Sequence, residues 1–93
     1  MNDKRQEVKV KITDDVLMGR YSNYMRVSHT SGEFVLEFAN IVPPVGAVIG
    51  KIFVSPGHLK RIIRTLEGNV KKYEKQFGDI KEAQEIKRKE AGF

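Results

Sequence analysis

The side chains that could do acid–base, nucleophilic or metal chemistry in this sequence are Asp14, Asp15, Ser28, His29, Ser55 and His58. Ser28 and His29 would serve as nucleophile and base only if they met, and neighbours in a strand point to opposite faces. The two histidines lie 29 residues apart with no carboxylate pattern beside them, short of the three or four ligands a metal centre needs. Asp14 and Asp15 follow Thr13 and read as a turn or helix cap before a paired acid and base. There is no cysteine, hence no thiol nucleophile, disulfide or cysteine zinc site. Gly46 and Gly50 flank a strand and lack the spacing of a phosphate-binding loop. We expect a protein that is not an enzyme and carries no metal or cofactor.

Charge is the stronger signal. Seventeen Lys and Arg oppose 12 Asp and Glu, net +5, a balance suited to anionic partners. Residues 1–54 hold seven basic and six acidic groups, net +1, and residues 55–93 hold ten and six, net +4. The excess therefore sits in the second half, on "SPGHLKRIIRTLEGNVKKYEKQFG". Ser55 stands as an N-cap, Pro56 at the first helical position and Gly78 as a C-terminal stop. Between them Leu59, Ile62, Ile63, Leu66, Val70, Tyr73 and Phe77 fall within an arc of roughly 100° at helical spacing. Lys60, Arg61, Arg64, Lys71, Lys72 and Lys75 occupy an arc of roughly 120° almost opposite. Glu67 and Glu74 lie beside this stripe. It reads either as the solvated face of a packed helix or as a seat for phosphates.

The elements that must position this helix are strands. "EVKVKI", "YSNYMRVSHT", "EFVLEFANIV" and "AVIGKIFV" alternate with period two. "TSGE" joins the second and third as an antiparallel hairpin, "PPVG" ends the third, and Gly50 suggests a bulge or a close backbone approach in the fourth. The face with Val8, Val10, Ile12, Met25, Val27, Phe34, Leu36, Phe38, Ile52 and Val54 should take the helix. The other face would carry Lys9, Lys11, Tyr24, Arg26, Lys51 and Phe53, cations and rings of the kind that hold single strands. It also carries Val35, Ile41 and Ile49 with Glu33 and Glu37, which suit a dimer interface better. Gly19, Tyr21 and Asn23 suggest a tight turn into a strand, Asn bonding backbone and Tyr covering the core edge, or else a ligand contact. The sequence leaves both open.

The expectation is α+β: a four-stranded, mainly antiparallel sheet with one long C-terminal helix packed on one face, as a homodimer. Residues 1–80 form the single domain, and the polar tail 81–93 is expected frayed or disordered. No apolar run approaches a membrane span and "MNDKRQEVK" lacks the apolar core of a signal peptide, so a cytoplasmic location and no membrane partner are expected.

Over residues 7–80 or so, the chain resembles the bacterial and archaeal family catalogued as domain of unknown function 3467. The likeness rests on Gly19, Tyr21 and Asn23; Glu33, Phe34 and Phe38; Ser55, Pro56 and His58; and Leu66, Asn69, Tyr73, Glu74, Phe77 and Gly78. One departure is Glu37, where the family usually has Asp. The resemblance implies a fold type and a small stand-alone size, and it hands over no catalytic or ligand residues. Two functions from different classes remain: a nucleic-acid-binding module without sequence readout, using the helix stripe or the sheet face, and a dimeric adaptor whose partner is another protein.

Overall fold

Residues 6–84 are described by a computed structural model. Their elements run α1 (Asp14–Met18), β1 (Tyr24–His29), β2 (Phe34–Val42), β3 (Val45–Val54) and α2 (Pro56–Phe77). The fold is α+β, an antiparallel sheet of strand order β1-β2-β3 with a C-terminal helix.

The turns form where short-range chemistry asks for them. Thr30 N–H donates to the Glu33 carbonyl at 2.9 Å and the Thr30 hydroxyl accepts from Gly32 N–H, closing the hairpin in which His29 faces Phe34. Their rings lie 5.2 Å apart. Val42 pairs with Val45 across Pro43 and Pro44, joined by a cis peptide, so the two prolines form the turn and none of the ladder. Gly50 pairs with Phe38 and Val48 with Ala39, leaving Ile49 as the extra residue of the expected bulge.

Asn23 closes the far end of the sheet. Its side-chain amide donates to the Ile41 carbonyl and its side-chain oxygen accepts from Ile41 N–H, both at 2.8 Å. The side chain thus does for Ile41 what a neighbouring strand would do. Asn23 N–H and the Ser22 hydroxyl both donate to the Ala39 carbonyl, at 3.1 and 2.9 Å. Ala39 and Ile41 are buried here, and Leu36 is buried on the opposite face of β2. Gly46 lets Ile41 pack close, since a Cβ there would meet the Ile41 Cγ1 at 3.0 Å.

Two expectations need correcting. The sheet has three strands, not four: Glu7–Ile12 carries no regular structure and pairs with nothing among the described residues, and Val8, Val10 and Ile12 stand exposed. Alternation shows that a segment could be half of a ladder; the other half must come from elsewhere in space, and it is not beside this one. Lys9 and Lys11 therefore belong to no sheet face. Second, the expected core does not form as one layer. Of the face meant to receive the helix only Leu36 is buried, while Met25 is 50% and Ile52 52% exposed. Leu59 and Ile62 of α2 are half-buried, whereas Leu66, Val70, Tyr73 and Phe77 remain open to solvent. Residues 79–84 carry no regular structure and are exposed; the rest of the expected tail, 85–93, lies outside the described residues.

Candidate nucleic-acid interface

α2 holds its cations on a helix fixed at both ends. At its start the Ser55 Oγ accepts from His58 N–H at 3.1 Å, satisfying one of the orphan donors of the first turn. At its end Gly78 takes φ 94, a region costly for any side chain, and donates its N–H to the Glu74 carbonyl at 2.8 Å. Glu74 also turns its carboxylate to accept from Ile80 N–H at 2.9 Å. The Tyr73 and Phe77 rings lie 4.9 Å apart one turn from this end.

Lys60, Arg61, Arg64, Lys71, Lys72 and Lys75 are all exposed, and among the described residues none of them forms an ion pair. Lys75 sits in the last turn, where the helix dipole favours a cation. The structure also reveals Gly68, which sequence reasoning passed over. At helical spacing it falls inside the basic arc, between Arg64 and Lys72 one turn to either side. A Cβ on it would meet nothing within 4 Å, so no packing in the chain requires a glycine there. The helical wheel was signal enough to find it.

The sheet face is differently arranged. Arg26 reaches across the β1–β2 pair to Glu37, with Nη2 at 2.6 Å and Nε at 3.0 Å from the same carboxylate oxygen. The Lys51 ammonium lies 5.6 Å from the centre of the Phe53 ring, within cation–π range. Tyr24 is half-buried at the start of β1. Of the residues expected on this face, Tyr24, Arg26, Lys51 and Phe53 do share it, and Lys9 and Lys11 do not.

The polar residues considered for catalysis stay apart. Ser55 and His58 serve the helix cap, and His29 stacks near Phe34. The Thr13 hydroxyl donates to Asp15 at 2.8 Å, which holds that exposed carboxyl below its ordinary range. Among the described residues no three of His, Cys, Asp and Glu converge, and no helix is long and apolar enough to cross a membrane. Tyr21 is 74% exposed, so within the chain it covers no core edge, while Asn23 takes the backbone-bonding role.

Much of the motif that carries the family likeness is therefore accounted for by folding: Asn23 as a strand substitute, Ser55 as N-cap, Glu74 and Gly78 as C-terminal closure. No curated protein and no solved structure matches the chain. A family model does match, over residues 1–82, and on that span the chain belongs to the family described as protein of unknown function, DUF3467.

Proposed function

We propose that this protein is a small, non-catalytic homodimer that binds nucleic acid without reading its sequence, through the basic stripe of α2. The observation that carries the reading is the stripe itself: six exposed cations on one helix face, free of anionic partners among the described residues. Fixed caps at both ends of α2 hold the six in a set geometry, so little side-chain-bearing backbone has to be ordered on binding. The sheet face supports the reading less well, because Glu37 neutralises Arg26 and would repel a phosphate at the same place.

A fluorescent single-stranded or duplex oligonucleotide tests it. Binding should be in the micromolar range or tighter near physiological salt, and should weaken log-linearly as salt rises, with a slope of about −5 on duplex if all six cations engage. Changing Arg61, Arg64 and Lys72 together to Glu should abolish it. No binding at about 50 mM salt would overturn the reading. The second reading, a dimeric adaptor for another protein, draws on the uncovered apolar side of α2. A defined partner kept from a nuclease-treated lysate, together with a flat oligonucleotide titration, would favour it.

A further inference from the structure

The six cations of α2 are not evenly spread. Lys60, Arg61 and Arg64 form one triplet, and Lys71, Lys72 and Lys75 form a second in which every member is displaced by the same eleven positions. Eleven residues make about three helical turns, so the second triplet repeats the first about 16.5 Å farther along the axis and only about 20° around it. Both lie on one unbroken helix between the Ser55 cap and Gly78. No cation stands between Arg64 and Lys71, and the one acidic residue in that gap is Glu67. All six cations are exposed, on the side of α2 turned away from its apolar arc.

Two matched clusters with an empty stretch between them suit two separated rows of phosphates. A single strand carries a phosphate at every step, so those passing the gap would meet no cation and one carboxylate. A double helix offers rows with a space between them. The major groove of B-form DNA is about 12 Å wide, which puts its two phosphate rows roughly 17 Å apart once half a phosphate is added on each side. The minor groove, about 6 Å wide, puts them roughly 12 Å apart by the same measure, short of the triplet spacing. Within each triplet the first two cations point about 100° apart around the helix, so they spread along a row and not toward the other one.

We propose that α2 takes a double helix, lying roughly along the duplex axis so that it bridges the wide groove with one triplet on each phosphate row. This rests on the nucleic-acid reading of the preceding section and names the form of nucleic acid that the same stripe takes. Glu67 then hangs over the open groove, away from either row. Both seats are on the sugar–phosphate backbone, so the contact reads no base.

The test compares a labelled DNA duplex of about 20 base pairs with one of its strands alone. The unaltered protein should bind the duplex at least about tenfold tighter at the same salt. Four alanines inserted between Gly68 and Asn69 move the second triplet to about 22 Å from the first and turn it by about 40° more, with every charge kept. Duplex affinity should then fall at least about tenfold and its salt slope shrink from about −5 to about −3, while single-strand affinity moves less than about threefold. Substitutions at exposed positions give a check that leaves the helix its length. Lys71→Gln, Lys72→Gln and Lys75→Gln together empty one row, whereas Lys60→Gln, Lys71→Gln and Lys75→Gln leave three cations divided between both. Both sets should bring the duplex slope to about −3, but only the first should abolish the preference for duplex. Equal affinity for the two forms overturns the proposal, as does an insertion that leaves duplex affinity unchanged or a divided set that loses the preference as fully as the first. In each of those cases nucleic-acid binding itself still stands. A flat titration with both forms overturns the preceding reading and this one with it.

Discussion

Around Asn23 the chain completes itself: Ile41 has both backbone groups taken by one side chain at 2.8 Å, the Ala39 carbonyl accepts two donors, and Ala39 and Ile41 are out of solvent. Along α2 the reverse holds. Its backbone is capped at both ends, yet Leu66, Val70, Tyr73 and Phe77 stay exposed on the side that helical spacing marks as apolar. The difference separates two kinds of need. Hydrogen bonds are directional and short-ranged, so one chain can meet them locally. Apolar burial scales with area, and a sheet of three strands cannot cover a 22-residue helix.

Substitutions can break or sharpen this contrast. Asn23→Ala should have the largest effect, a loss of about 2 kcal/mol in denaturant unfolding, because it removes two hydrogen bonds and strands both backbone groups of Ile41. A loss below about 0.5 kcal/mol would mean that water replaces the amide and that this end is no more closed than the helix. Ser55→Ala should cost about 1 kcal/mol by the same measurement, the usual worth of an N-cap. No change would show the start of α2 held by its packing alone. Gly68→Ala should act in the opposite direction and raise stability by about 0.5–1 kcal/mol, since the helix prefers alanine and the space is open. If phosphates approach the bare backbone at Gly68, the same variant should bind oligonucleotide more weakly while being more stable. That split would separate a binding face from a merely solvated one.

What was legible in the sequence was local. The Ser31–Gly32 turn, the stop at Pro43 and Pro44, the bulge beside Gly50 and both ends of α2 each depend on a few adjacent residues, and each formed as read. The misreadings were non-local. Glu7–Ile12 has the alternation of a strand, but alternation carries no address for its partner. The helix was expected to close the core because its apolar arc was right; what faces that arc is set by the reach of the sheet. Asn23 could be read as a backbone-bonding residue, but its target lies 18 positions away at Ile41, beyond any turn motif. For the candidate interface, the six α2 cations were legible because they share one rigid element. Of the sheet set, Tyr24, Arg26, Lys51 and Phe53 were legible, and Lys9 and Lys11 were not, because those two needed a pairing that is absent among the described residues.

The caps on α2 have one more effect. With the first turn pinned by Ser55 and the last by Glu74 and Gly78, the distance from Lys60 to Lys75 is set by the helix itself, about 22 Å. α2 is then a ruler with charges as its graduations. At about 3.4 Å per base pair, that span corresponds to between six and seven steps of a duplex. If the stripe binds duplex, a fragment shorter than that span should engage fewer of the cations and show a shallower salt dependence.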